Sequence, residues 1–511
     1  CKLNMQAITN VIPYTPSITG TLDAEVKFHQ LDKNNKFEAE FAVKNMTYEN
    51  SPMGNLSMSL LYLPSEKSEH IVNLELKKDD KKIAEISGSY IDKEKGIVNG
   101  DITFQHFPMN MVNGFIPDDM CGFRGDIDGK VSMKGSMDRP EVNGEIQLDS
   151  VGLYSDVYGV DFRFTDDPVR IINSNLLFEN FDVYAVGDNP FTVQGNLNFA
   201  NMDHIWMDLQ MRARNYQLLD SKRKYNSVLF GKVFANFNAT LKGPLDDLKM
   251  RGSLSVLGNT DVTYIMKDTP LTVEDRLSDL VTFTSFDDST NYVAPKTEPK
   301  PAFNGLDMNM ALRIDQGTQM NVELSSNKQS YINVEGGGNM TMRYTPQGDL
   351  KLSGRYTLNR GEMRYELPVI PLKTFTLGNG SYIEFTGDPY NPKLNLSASE
   401  KVKATVTEGE QPRTVAFEVG VAISNTLKKM GLAFTLNAPE DATIQNQLAS
   451  MSESERGKLA VTMLATGMYL AEGNSGNFNM NNALNSLLES ELSSIAGSAL
   501  KTIDISVGME D

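Results

Sequence analysis

The side chains with the most chemistry available in this chain of 511 residues are four histidines (His29, His70, His106 and His204), two cysteines (Cys1 and Cys121) and a few paired carboxylates. A His or Cys metal site needs its ligands a few residues apart, as in C-x-x-C or H-x-x-x-H. No two of these histidines or cysteines are spaced that way. A serine nucleophile needs a sharp Gly-x-Ser-x-Gly elbow, and phosphate cradling needs Gly-x4-Gly-Lys-Ser/Thr. The first is missing, and the glycine-rich stretch from Gly122 to Lys130 does not match the second. Asp118-Asp119 and Asp166-Asp167 fall between apolar runs, where they read as solvated turn carboxylates. The expectation is a protein with no catalytic residues, no metal and no cofactor.

The elements around these residues are strands. Apolar side chains alternate in Ile127 to Met133, at Phe191, Val193, Leu197 and Phe199, and at Val233, Ala235, Phe237, Ala239 and Leu241. A period of two places them on one face of a strand, with the polar residues on the other. Turn formers recur between the runs, for example Asp166-Asp167-Pro168, Gly187 to Pro190 and Pro346 to Asp349. Short strands joined by hairpins follow, hence a mainly β, antiparallel or meandering structure. A weak repeat overlies the pattern: Gly135 to Gly144 reappears as Gly243 to Gly252 and, more distantly, as Gly387 to Leu396. Each copy is a strand ending at Gly, a polar turn and a new strand. Such copies suit either an ordinary meander or a stacked repeat architecture. Gly336-Gly337-Gly338, inside strand-like sequence, reads as a bulge or a close approach of backbones.

The charge restricts partners. Lys and Arg number 48 against 66 Asp and Glu, for a net charge of −18. Phosphate backbones and anionic lipid surfaces attract cations, so nucleic acid is excluded as a partner and any lipid contact must be apolar. Hydrophobic residues are 40% and charged residues 22%, the composition of a folded chain modest in core material. The 26 methionines lie mostly in strand regions and serve as core filling or as an adaptable apolar lining.

Near residue 438 the pattern changes to helical. Pro439-Glu440-Asp441 opens a stretch with Ile444, Leu448 and Met451 on one face. Ser452 to Glu455 has the form of a capping box, ahead of a run from Leu459 to Ala471 that is apolar nearly all round. At ~20 Å that run is too short to cross a ~30 Å hydrocarbon core. A last helix is expected from Leu484 to Ala499, and strand-like alternation returns at Ile503, Ile505 and Val507.

The stretch from Gly378 to Ala398, containing Gly387-Asp-Pro-Tyr-Asn-Pro-Lys-Leu394, resembles the C-terminal domain of the TamB family, subunits of the translocation and assembly module of two-membraned bacteria. The strands of 409–436 and the helices that follow continue the likeness, which extends over about 120–511. The resemblance implies an elongated U-shaped (taco-like) β-sheet with an apolar groove plus a small C-terminal helical segment. It divides the chain into a β-repeat region at 1–120, a trough at 121–437 with a Pro-rich loop near 284–303, helices at 438–502 and the start of a strand at 503–511. It implies a periplasmic protein bridging inner and outer membranes, its anchor upstream of this chain, with Cys1 either a lipoprotein site or an internal position. The implied role is carriage of phospholipid, acyl chains in the groove, in support of outer-membrane biogenesis. The alternative is an assembly or secretion factor acting with an Omp85-type (TamA-like) barrel. Candidate lining residues, taken from the alternating runs, are Val131, Met133, Val193, Leu197, Phe199, Val233, Ala235, Phe237 and Leu241.

Overall fold

A computed structural model describes residues 2–6, 16–30, 35–49, 51–64, 69–91, 96–116, 121–136, 139–155, 159–224, 227, 229–265, 305–323, 330–365, 373–389, 391–408, 411–426 and 429–469. Cys1, the Pro-rich loop near 284–303, the helix expected from Leu484 and the alternation at Ile503 lie outside them.

The described residues form strands through most of their length. In the first part these are β1 (Lys2–Asn4), β2 (Ile18–Gln30), β3 (Asn35–Tyr48), β4 (Ser51–Pro64), β5 (Glu69–Lys78), β6 (Lys81–Ile91), β7 (Ile97–Pro108), β8 (Gly122–Ser136), β9 (Arg139–Ser155), β10 (Val160–Phe164), β11 (Val169–Ile172), β12 (Asn175–Tyr184), β13 (Phe191–Asn198) and β14 (Trp206–Ser221). There follow β15 (Leu229–Pro244), β16 (Leu248–Val256), β17 (Asp261–Ile265), β18 (Leu306–Glu323), β19 (Tyr331–Tyr344), β20 (Leu350–Tyr365), β21 (Lys373–Leu377), β22 (Tyr382–Gly387), β23 (Lys393–Glu408), β24 (Gln411–Thr426) and β25 (Lys429–Asn437). Two α-helices, α1 (Ala442–Ser450) and α2 (Glu453–Thr466), come after them, and a 3-10 turn at Met109–Phe115 interrupts the strands earlier.

The chain divides into two compact units, one of residues 1–227, 235–252 and 304–308, the other of 228–234, 253–303 and 309–511. In the first, β1 to β9 pair antiparallel in sequence order. Short β10 and β11 both pair with β9 and with β12, and β13 and β14 follow antiparallel. In the second, β17 pairs antiparallel with β15 and parallel with β18. From β19 to β25 the pairing is antiparallel, with β21 and β22 both bridging β20 to β23.

The repeated glycines have a backbone reason. Gly135 and Gly243, one residue before the ends of β8 and β15, and Gly387, the last residue of β22, have φ of +105°, +131° and +135°. That region is sterically costly for any side chain, so the chain turns there at glycine. The triple glycine combines both of its expected roles. The register of β19 against β20 shifts between Glu335 and Gly336, and a Cβ on Gly338 would sit 1.9 Å from the Arg355 carbonyl oxygen.

The helices begin as their sequence signals require. Asp441 caps α1 by accepting from the Ile444 N–H (3.1 Å) and pairs with the Arg413 guanidinium. The hydrogen bond from Arg413 is the main reason its carboxyl titrates below the usual aspartate value, helped by the Ile444 amide. Ser452 and Glu455 form the expected capping box, Ser452 N–H donating to Glu455 Oε2 at 2.7 Å. Ile444, Leu448, Ala460 and Met463 are fully buried against Val415, Phe417, Val419 and Leu436 of β24 and β25. Phe417 stacks on Tyr469 with ring centroids 4.8 Å apart. No helix of the described residues is long and apolar enough to cross a membrane.

Candidate functional site

Directly opposed residues of antiparallel strands share a sheet face, so the register shows what each face is made of. In the first unit one row runs from β2 to β9: Val26, Ala39, Leu60, Leu74, Ile86, Ile102, Val131 and Gly144, each opposite the next. From Gly144 the row passes through Ile171, Leu176, Leu197 and Met207 to β14. One residue over, on the other face, stand Glu25, Glu40, Ser59, Glu75, Glu85, Thr103, Lys130 and Glu145 in the same order. Along this row the first unit's sheet has an apolar face and a face carrying five glutamates and one lysine. Val26 (65% exposed), Phe28 (54%) and Ile86 (40%) show that the apolar face is only partly covered.

This register also locates the candidate residues. Val131 and Met133 of β8 face the same way, opposite Ile102 and Gly100. Val193 lies between Phe181 and Met211, and Leu197 between Leu176 and Met207. Phe237 meets Phe191 with ring centroids 5.4 Å apart, beside the buried cluster of Ala185, Ala213 and Tyr216. Ala235 is buried, Val233, Phe199 and Leu241 are half-buried, and the Phe199 N–H donates to the Ser174 carbonyl.

A second apolar feature, not among those candidates, lies wholly in the second unit: a cavity of about 730 Å³. Its wall is built by Leu229 of β15, Val262 and Tyr264 of β17, Leu312, Ile314, Met320 and Val322 of β18, and Ile332, Val334 and Met340 of β19. Leu352, Tyr356, Leu358 and Met363 of β20 continue it, with Leu377, Ile383, Phe385, Leu396, Ala398, Val421 and Ile423 beyond. Besides the phenols, the one polar side chain on this wall is Asn321, whose amide donates to Asp261 (2.8 Å). Register explains the composition: Tyr356 stands opposite Ile383, Ile383 opposite Leu394, Leu377 opposite Ala398 and Ala398 opposite Val421. The nine candidates chosen from the alternating runs do not line this cavity. The signal for it was present in Leu394, Leu396 and Ala398, spaced by two with polar residues between.

The helices occupy the same sheet face farther along. On β23, Leu396 and Ala398 line the cavity, whereas Val402, Ala404 and Val406, of the same parity, are buried in the core that α1 and α2 cover. On β24, Ile423 and Val421 line the cavity and Val419, Phe417 and Val415 lie in that core.

The histidines are structural or solvated: His29 pairs with Glu38, His106 with Asp128, and His70 Nδ1 shares a hydrogen bond with the Tyr62 hydroxyl at 2.7 Å. Among the described residues no group of three or more His, Cys, Asp or Glu is placed to hold a metal ion.

The family model of the TamB C-terminal domain matches residues 179–511, well over half of the chain. The chain belongs to the TamB family. The match takes in the whole cavity wall and both helices and begins later than the likeness near residue 120. Membership connects the chain with transport and assembly work at the outer membrane, and the family is not one of enzymes. A search of curated proteins returned no match.

Proposed function

We propose that this TamB-family chain shields lipid acyl chains from water along its apolar sheet faces, as the periplasmic part of a protein passing phospholipid between inner and outer membranes. The observation that carries the reading is the 730 Å³ cavity, whose wall of more than twenty side chains holds one amide and two phenols as its polar groups. Each methylene removed from water is worth about 0.8 kcal/mol, so an acyl chain of about 16 carbons needs on the order of 12 kcal/mol of apolar cover. A continuous wall supplies this, and separate small pockets do not. The apolar face of the first unit, which carries Val131, Met133, Val193 and Leu197, would offer acyl chains the same cover.

The test is organic extraction of the purified chain followed by mass spectrometry. Phospholipid is expected in the extract, and Ile383→Glu or Leu396→Glu is expected to remove most of it while the fold survives by circular dichroism. Repeated lipid-free preparations of well-folded protein would overturn the proposal.

A second reading has its own observation. Among the described residues, β25 pairs as a strand only with β24, so its other edge can accept a strand from an Omp85-type barrel partner. Photocrosslinkers in Lys429–Asn437 should then capture the barrel in cells, with polar groove variants leaving that capture intact.

A further inference from the structure

The inward face of β23 reads Leu394, Leu396, Ala398, Glu400, Val402, Ala404 and Val406, while Lys393, Asn395, Ser397, Lys401 and Lys403 face outward and are exposed. Glu400 is the one charge in that apolar series. The inward face of β21 likewise carries Lys373 beside Phe375 and Leu377. Their side chains meet, Lys373 Nζ to Glu400 Oε1 at 3.4 Å, each about four-fifths buried. Glu400 lies one inward step from Ala398 of the cavity wall and opposite the fully buried Val419 of the helix-covered core. An ion pair therefore stands on the apolar face at the end of the cavity.

Stability does not explain it. Desolvating two ions costs several kcal/mol each and is offset only by close, fully hydrogen-bonded geometry. A charge-assisted N–H···O contact normally spans about 2.7–2.9 Å, so this pair is loose. Glu400 Oε2 is buried with no hydrogen-bond partner among the described residues. Such an atom calls for a donor that the described residues do not supply.

We infer that Lys373 and Glu400 form a headgroup site for a phospholipid bearing a phosphodiester and a primary ammonium, with its acyl chains in the cavity. The phosphate accepts from the Lys373 ammonium, and the lipid ammonium donates to Glu400 Oε2. The exchange leaves no buried charge unpaired. An anionic lipid without an amine would take Lys373 and strand Glu400, and a neutral diacylglycerol would leave the pair as it is. This inference rests on the acyl-chain reading above and adds the headgroup class to it.

The test offers the full chain vesicles of phosphatidylcholine doped with labelled phosphatidylethanolamine, phosphatidylglycerol or diacylglycerol, and measures the lipid that copurifies. The intact chain is expected to prefer the ethanolamine lipid over the glycerol lipid by about tenfold, a difference that one well-made charged contact supplies. Glu400→Gln should bring that ratio to within about twofold. Lys373→Met, which leaves Glu400 without its cation, should keep the preference for the ethanolamine lipid and push the glycerol lipid below diacylglycerol, and both variants should still take up diacylglycerol. The double variant serves as a folding control and should melt no lower than the intact chain. Equal uptake of all three lipids by the intact chain, or unchanged ratios in the variants, refutes the headgroup site and leaves the groove reading standing. Failure to take up any lipid, diacylglycerol included, refutes the groove reading and this inference with it. Competition by millimolar glycerophosphoethanolamine as effective as that by the intact lipid would assign the site to a soluble phosphoamine and overturn the lipid headgroup.

Discussion

Replacing Tyr356 by Phe should stabilise the second unit, the opposite of the usual effect of deleting a tyrosine hydroxyl. Tyr356 is 5% exposed, its hydroxyl has no hydrogen-bond partner among the described residues, and its ring forms part of the cavity wall. Burial, with a lesser contribution from Glu335, pushes its pKa up from 10.0 to about 12. A buried hydroxyl left unsatisfied costs roughly 1–3 kcal/mol, so removing it at constant shape should gain about 1 kcal/mol near neutrality. The pH dependence fixes the sign independently. Below about pH 10 the phenol is protonated in both folded and unfolded chains, and its contribution is constant. Between about 10 and 12 only the unfolded chain releases the proton, so stability falls with rising pH, by roughly 3 kcal/mol across the window. Tyr356→Phe should abolish that loss in the second unit alone. Tyr216 of the first unit, also raised to about 12 by burial, keeps its own. Urea unfolding at pH 8 and at pH 11.5 separates the two, because the single tryptophan, Trp206, reports on the first unit and amide exchange in β20 on the second. A Tyr356→Phe chain that is less stable at pH 8, or whose β20 protection falls as steeply with pH as that of the intact chain, would refute the reasoning.

Three smaller tests concern the supports of the cavity and helices. Gly338→Ala should cost at least about 2 kcal/mol, because the added Cβ meets the Arg355 carbonyl oxygen at 1.9 Å and both are backbone-fixed; chemical denaturation measures it. Ser452→Ala removes the capping box of α2 and should cost about 1 kcal/mol, visible as faster amide exchange in the first turn. Asp441 is held below the ordinary aspartate range, so its cap on α1 persists above that range and is lost as pH falls through the depressed value. Arg413→Ala should move that loss upward, which an NMR titration of the Ile444 amide would follow.

Strand alternation made most of the fold legible, because a period of two needs no knowledge of partners. Residues Val233 to Leu241 lie in a single strand, β15, as their pattern required. The capping box at Ser452 was equally readable, since its partners are three residues apart. The repeated glycines were visible as punctuation, but their positive φ was not. The cavity is a different kind of fact: its wall joins side chains from Leu229 to Ile423, and nothing local in the sequence ties these together. The same holds for Lys373 and Glu400, 27 residues apart. The break in alternation at Glu400 was in plain view, but its meaning depended on the pairing of β21 with β23.

The order of pairing also bears on how the molecule forms. From β1 to β9 every strand pairs with the one just before it, so each hairpin closes between sequence neighbours and can add to a growing edge. Contacts this local favour rapid, sequential assembly from the N-terminal side as the chain emerges from a ribosome or a secretion pore. The parallel match of Asp261 with Gln319 spans 58 residues and cannot form until β18 has appeared. Pulse-labelled hydrogen exchange during refolding should find β2 to β8 protected before β17 and β18.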